Sequence, residues 1–259
     1  MDQPLRVLVS AGASGIGASI AERFRADGAR VSICDRDETA VRSATQTDPD
    51  LHAVVGDVAD AGDTQRWVDE VVGLWGGVDV LVNNAGIAGP TALVEEIDPD
   101  AWRDCLAVNI DGHFLLARLV IPHMKKQRSG AIVAISSTAG LYGYGMRTPY
   151  AAAKWAVIGF TKSLAVELGP FGIRANIVAP GAVEGPRMGR VIEAEAAQRG
   201  VSAAVVRQEY VDSQSISRFV KPSEIADICA FLASSHASMV NGQVIAVDGN
   251  TETFHIASR

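Results

Sequence analysis

Leu5-Arg6-Val7-Leu8-Val9-Ser10-Ala11-Gly12-Ala13-Ser14-Gly15-Ile16-Gly17 is the stretch whose reading decides the fold. The β-branched run over 5–9 reads as a fully buried strand, and the amphipathic stretch over 16–27, with Ile20 and Phe24 at helical spacing, reads as a helix. Between them lies a glycine-rich turn. Glycines let backbone N–H groups approach a pyrophosphate closely, and the helix N-terminus offers unsatisfied donors and a positive dipole end to the same anion. A glycine turn also serves merely to pack helix on strand. Its place directly after a strand and before a helix gives it meaning here.

The same rhythm continues outward. Short apolar runs recur over 30–34, 52–55, 78–82, 131–135, 174–178 and 243–247, and longer stretches with helical spacing lie over 101–126, 150–168 and 222–232. Alternating β and α predicts one three-layer α/β sandwich spanning 1–259, with a seven-stranded parallel sheet covered on both faces. The segment over 184–217 breaks the rhythm, inserting about two helices' worth of charged, alanine-rich sequence after the sixth strand. An excursion at the carboxyl end of a sheet predicts a substrate cover.

Composition narrows the function classes. With 259 residues, 48% of them hydrophobic, the chain suits one large domain with a well-buried core. Lys plus Arg number 23 against 30 Asp plus Glu, a net charge of -7 that is the wrong sign for a nucleic-acid surface. The one basic run, Lys125, Lys126 and Arg128, follows a helical stretch, where cations complement the negative dipole end. Cys34, Cys105 and Cys229 show neither disulfide framework nor metal spacing and suggest a reducing cytoplasm. The strand starting at Leu5 leaves no room for a leader, and the uncharged stretch over 129–146 is broken by Gly140, Gly143 and Gly145, so no membrane partner is expected.

Two further features carry chemistry. Asp35 ends the second strand, close to the spacing at which a carboxylate accepts from the adenosine ribose hydroxyls; this favours NAD over NADP, with Arg36 pulling the other way. Tyr150 and Lys154 lie four residues apart at the start of a helix, on one face. A nearby ammonium favours the phenolate and equips Tyr150 to exchange a proton with an alcohol or ketone oxygen. A hydroxyl at the end of the fifth strand could donate to that oxygen. Ser137 is the first choice and Ser136 the competitor, since adjacent strand residues face opposite ways.

Ser137, Tyr150 and Lys154, with the glycine turn, resemble the short-chain dehydrogenase/reductase family in its classical form, a likeness that spans essentially the whole chain. The resemblance implies a Rossmann-like fold and a nicotinamide-dependent oxidoreductase of secondary alcohols and ketones. Asn83-Asn84-Ala85-Gly86 resembles the motif that stabilises the central sheet and lines the cofactor, and Asn109 matches the asparagine that holds a water on the lysine. Asp57-Val58 resembles the adenine-contacting pair, and Pro180-Gly181 with Val183 the turn that binds the carboxamide. Ser10, Gly12, Ser14, Gly15, Ile16 and Gly17 would form the phosphate cradle, with Lys154 also on the nicotinamide ribose. Two departures stand out: Ala11 replaces the first turn glycine, and Gly185 replaces a common threonine.

By family position the substrate meets Ala88, Thr138, Leu141, Tyr142, Tyr144, Glu184, Arg187 and Met188. Arg147, Arg187 and Arg190 could hold a carboxylate or sulfonate in bidentate fashion, although each also reads as a solvated loop arginine. A small hydroxy acid and a polyol are both open. No metal is expected. Phe114, Leu115, Leu119, Trp155 and Phe160 give the helices over 101–126 and 150–168 more apolar surface than one sheet face needs, and the resemblance implies a homotetramer or homodimer. The rival readings are an NADP-dependent ketoreductase and a catalytically silent dinucleotide-binding regulator.

Overall fold

In the computed structural model, which describes residues 3–251, Val7, Leu8 and Val9 are all completely buried although successive side chains face opposite sides of the sheet. A sheet with two dry faces must be covered twice, and the chain supplies helices to both. The elements are β1 (Arg6–Ser10), α1 (Gly15–Ala26), β2 (Arg30–Asp35), α2 (Glu38–Thr47), β3 (His52–Val55), α3 (Ala61–Trp75), β4 (Val80–Asn83) and α4 (Pro99–Leu106). There follow α5 (Gly112–Gln127), β5 (Gly130–Ile135), α6 (Thr148–Leu168), β6 (Ile173–Pro180), α7 (Pro186–Arg199), α8 (Ala203–Asp212), α9 (Pro222–Ala233) and β7 (Val244–Val247).

The strands form one parallel sheet in the order β3-β2-β1-β4-β5-β6-β7. The order reverses between β1 and β4, so the crevice at their carboxyl ends is the place such sheets offer to ligands. Val7, Val9, Ile33 and Val82 pack with Ile20 and Phe24 of α1 and Ile225 and Leu232 of α9. Leu8, Leu81 and Ile132 pack on the other face with Trp67 of α3, Leu116, Val120 and Met124 of α5, and Leu164 and Leu168 of α6. The buried Trp67 donates its indole N–H to Ser32 Oγ at 2.7 Å, so the one polar atom it brings inside is satisfied.

All seven expected strands are present, with the parallel sense expected. The helix expected over 101–126 differs in one respect: α4 and α5 are joined by a π-helical turn over Ala107–Asp111, which carries Asn109. Such turns are common at functional sites because one wide turn re-aims a side chain without ending the helix. The whole run, Pro99–Gln127, is long and apolar enough to cross a membrane by length and composition, and it is the only such helix among the described residues. Its Leu116, Val120 and Met124 are fully inside the core, while 39% of its apolar window is buried.

The 184–217 segment becomes α7 and α8. They enclose a small core of their own, Ile192, Ala196 and Val206 with Ala182 and Phe219. Cys34, Cys105 and Cys229 are free thiols, all buried.

Candidate active site

At two of its glycines the glycine turn packs too closely against the protein to admit a side chain. A Cβ on Gly12 would fall 2.4 Å from Ile33 Cγ2, and one on Gly17 would fall 2.0 Å from the Ala11 carbonyl oxygen. Gly15 has φ +56 with open space around it. Ser14 caps α1 without a side-chain hydrogen bond, so the first N–H groups of that helix remain available to an anion. Ile16 lies partly buried behind them.

Below the turn runs a closed hydrogen-bond circuit. Ser10 is completely buried, and its hydroxyl accepts the N–H of Asn84 at 2.9 Å and of Ala85 at 3.0 Å. Asn84 Nδ2 donates back to the carbonyls of Ser10 and Ala11 at 3.0 and 3.1 Å. Ser10 therefore braces the turn from beneath. Asp35, at the end of β2, accepts the N–H of Ala13 at 3.2 Å, which holds its carboxylate against the turn, while Arg36 is exposed. Asp57 closes its own loop by accepting from Ala59 N at 2.9 Å, and Val58 is part of the core. Pro180 and Gly181 lead out of β6, where Gly181 leaves no room for a Cβ against Asp248; Val183 bridges to Val220.

At the far side of the crevice the two serines part. Ser136 Oγ donates to the Lys154 carbonyl at 2.8 Å, tying β5 to α6, whereas Ser137 Oγ accepts the N–H of Ala139 at 3.2 Å and is near enough to the Tyr150 phenol to help lower its pKa. Lys154 is buried and donates from Nζ to the Ile135 carbonyl at 3.0 Å, with Nζ 5.7 Å from the centre of the Tyr150 ring. Burial alone would raise the Tyr150 phenol, but the charges of Arg187 and Lys154, the Ser137 hydrogen bond and the charge of Arg147 outweigh it and hold the phenol below its ordinary range. Desolvation pulls Lys154 down to about 8, with the Tyr150 phenolate opposing it.

Asn109, completely buried, donates from Nδ2 to the carbonyls of Cys105 at 2.8 Å and Ile87 at 3.0 Å, which leaves Oδ1 without a partner. A Cβ on Gly86 would fall 2.6 Å from that Oδ1 and 3.2 Å from Lys154 Nζ, so both atoms border Gly86.

The residues expected on the substrate side divide. Arg147 is buried and donates to the Ala88 carbonyl at 2.7 Å, with its guanidinium 5.1 Å from the Tyr150 ring centre and 5.3 Å from that of Tyr144. Arg187 is exposed, donates to the Gly86 carbonyl at 3.0 Å and lies 5.9 Å from the Tyr150 ring centre. Thr138, Leu141 and Met188 are half-buried; Tyr142, Glu184 and Arg190 are exposed. Tyr144 bonds hydroxyl to hydroxyl with Tyr210 of α8, which donates on to Glu195 of α7 at 2.9 Å.

Sequence reasoning missed that latch, because nothing in the spacing of Tyr144 and Tyr210 announces it. It also missed Cys105 as the residue that orients Asn109. Their four-residue helical spacing was the available signal.

The family model described as enoyl-(acyl carrier protein) reductase matches residues 10–250. Over 246 residues the chain is 38% identical to the 3-oxoacyl-(acyl-carrier-protein) reductase FabG of Thermotoga maritima, covering 93% of this chain and 95% of that one. It is 38% identical over 252 residues to the trans-4-hydroxycyclohexanecarboxylate dehydrogenase of Sinomonas cyclohexanicum, covering 93% and 90%. Among solved structures, the actinorhodin polyketide ketoreductase with NADPH superposes with a TM-score of 0.93 at 34% identity, covering 98% of this chain and 100% of that one. The NAD+-bound xylitol dehydrogenase gives 0.90 at 28% identity, covering 95% and 98%. With the sheet order and the Ser137, Tyr150 and Lys154 grouping, these matches show that the chain belongs to the classical short-chain dehydrogenase/reductase family of oxidoreductases.

Proposed function

We propose that the protein is an NAD(H)-dependent enzyme that interconverts a secondary alcohol and its ketone, with Tyr150 as general acid and base. The observation that carries this reading is the phenol held below its ordinary range by surrounding cations, beside Ser137 and one turn before a buried Lys154. When bound, the dinucleotide supplies the hydride acceptor or donor. Gly12, Gly15 and Gly17 with the α1 N-terminus suit its pyrophosphate, since close backbone approach and free N–H groups are what that group requires. Asn84, Ala85, Gly86, Pro180, Gly181 and Val183 would line the rest of its path.

Tyr150 takes the carbinol proton in the oxidative direction, and Ser137 holds the substrate oxygen. Lys154 stabilises the phenolate. The unpartnered Asn109 Oδ1, facing the same space beside Gly86 as Lys154 Nζ, suits a water that passes the proton onward.

Tyr150→Phe is the test. Turnover of a secondary-alcohol panel should fall about 1,000-fold or more, while NADH binding, followed by fluorescence titration, is retained because the glycine turn is remote from the phenol. Retained turnover would overturn the assignment.

The Asp35 carboxylate, held against the glycine turn through Ala13 N, supports NAD over NADP, because it would repel a 2′-phosphate. An NADP-dependent ketoreductase is the second reading, resting on Arg36 next in sequence. Tighter binding of NADPH than NADH would install it.

Phe114 of α5 and Trp155 and Val166 of α6 are 49%, 52% and 79% exposed. Apolar surface on these helices supports a homodimer or homotetramer formed through them. The buried free thiols suit a cytoplasmic setting.

A further inference from the structure

Arg147 is the only buried arginine among the described residues, at 4% exposure, and it has no anion. Eight other arginines, Arg6, Arg23, Arg25, Arg42, Arg66, Arg103, Arg199 and Arg218, form ion pairs, and every one of them has a more exposed side chain. Other arginines, Arg174 included, also lack an ion pair among the described residues, but Arg147 is the most deeply buried of the unpaired ones, where an uncompensated charge is most costly. Among the described residues Arg147 makes a single side-chain hydrogen bond, to the Ala88 carbonyl, and its Nε is buried without a partner.

The surroundings repeat the asymmetry. Arg187 also has no ion pair among the described residues, and it is tied to the carbonyl of Gly86, two residues from the Ala88 carbonyl that holds Arg147. Both guanidiniums flank the Tyr150 ring, at 5.1 and 5.9 Å from its centre. With Lys154 they make three cations around the reacting phenol, in a chain whose net charge is -7. Glu195, which reaches toward this group through Tyr210 and Tyr144, is engaged by Tyr210 and Arg199.

We propose that the substrate is itself an anion, a hydroxy acid and its oxo acid, whose carboxylate is received by Arg147 with Arg187 beside the carbon that Tyr150 serves. This rests on the alcohol–ketone reading above and names the substrate class within it. A carboxylate matches the guanidinium fork in geometry, satisfies the bare Nε and neutralises charge that the protein leaves uncompensated. A neutral polyol hydroxyl would accept from the Nε but would neither match the fork nor neutralise the charge.

The competing account gives Arg147 a positioning role only, its charge keeping Tyr150 acidic. Neutral isosteres separate the two. The probes are 3-hydroxybutyrate and 4-hydroxycyclohexanecarboxylate with their primary amides, in steady-state turnover. For binding without chemistry they are cyclohexanecarboxylate and cyclohexanecarboxamide, titrated calorimetrically into the full chain in the presence of NADH.

The acid should be preferred to the amide in the wild type, and Arg147→Met should lower that kcat/KM ratio about 100-fold, the scale of removing one partner from a buried charge pair. Arg147→Lys, which keeps charge but not the fork, should lower it about 10-fold. Arg187→Met, at an exposed position and so safe for folding, should act in the same direction by a smaller factor.

Equal loss for acid and amide, with the pH profile displaced, would overturn the proposal and leave the hydride-transfer reading standing. If no alcohol turns over, that reading fails, and the titration alone decides the present one. Cyclohexanecarboxylate binding no tighter than its amide would refute it.

Discussion

The two sides of the crevice are finished to different degrees. Beneath the glycine turn, Ser10, Asn84 and the backbone of Ser10, Ala11 and Ala85 satisfy one another in a closed circuit, and Asp35 closes on Ala13. On the catalytic side, Asn109 Oδ1, Arg147 Nε and Thr148 Oγ1 are buried without partners, and three cations surround one phenol. None of the buried unpartnered side-chain atoms among the described residues belongs to β1, the glycine turn, α1 or β2. One side is a frame complete within the chain. The other leaves buried polar groups without partners inside the chain, the pattern expected where stability is exchanged for function.

If that contrast is right, substitutions on the catalytic side should harm activity and spare stability. Lys154→Met removes a desolvated cation, so kcat should drop about 100-fold to 1,000-fold. The unfolding free energy should stay level or rise by about 1 kcal/mol, as is usual when a buried charge gives way to a well-packed hydrophobe. Stopped-flow turnover and denaturant melts measure the two. A large loss of stability would break the contrast.

The frame should behave in the opposite way. Gly17→Ala drives a methyl into the Ala11 carbonyl at 2.0 Å and toward Asn84 Nδ2 at 2.7 Å, groups held by the circuit and unable to move singly. About 1–3 kcal/mol of stability should be lost, and NADH binding should fall with it, since the turn must open to admit the methyl. Calorimetric unfolding with and without NADH would show both.

The pH profile refines the electrostatic half of the contrast. Alcohol oxidation needs the phenolate, so kcat/KM should rise as pH passes through the depressed Tyr150 value and level off below the range of a free phenol. Arg187 is the foremost of the charges lowering that value. Arg187→Met removes positive charge, makes the phenolate less stable and must move the rising limb to higher pH. An unmoved limb would show that the guanidinium does not act on Tyr150.

The same contrast explains what the sequence made legible. The seven strands and the β1 to α1 turn were readable because a doubly buried strand is a short apolar run and because glycine positions record where a Cβ cannot fit. The grouping of Ser137, Tyr150 and Lys154 was readable because helical spacing places a phenol and an ammonium on one face. The choice between Ser136 and Ser137 was not, since it turns on which hydroxyl meets the α6 backbone, a tertiary contact. Nor was the difference between Arg147 and Arg190: both stand in polar loop-like sequence, and only packing shows one buried and the other in solvent. The π-turn under Asn109 is equally silent, because it alters hydrogen-bond spacing without altering the apolar pattern.

The smallest expected effect lies in the frame itself, at the departure the sequence announced. Ala11 has φ 50, in the left-handed region where a Cβ crowds the backbone, and its N–H is fixed to the Cys34 carbonyl at 2.7 Å, so it cannot relax away. Strain of about 1–2 kcal/mol is expected at such a residue. Glycine would relieve it, although the freer unfolded chain takes back about 0.4–1 kcal/mol. Ala11→Gly should therefore raise stability by a margin worth about 2 °C in the melting temperature of a domain this size. NADH affinity should be unchanged, because the circuit through Asn84 reads the Ala11 carbonyl and not its side chain. A lower melting temperature would mean that the alanine is compensated by contacts of its own and that the frame carries no local strain.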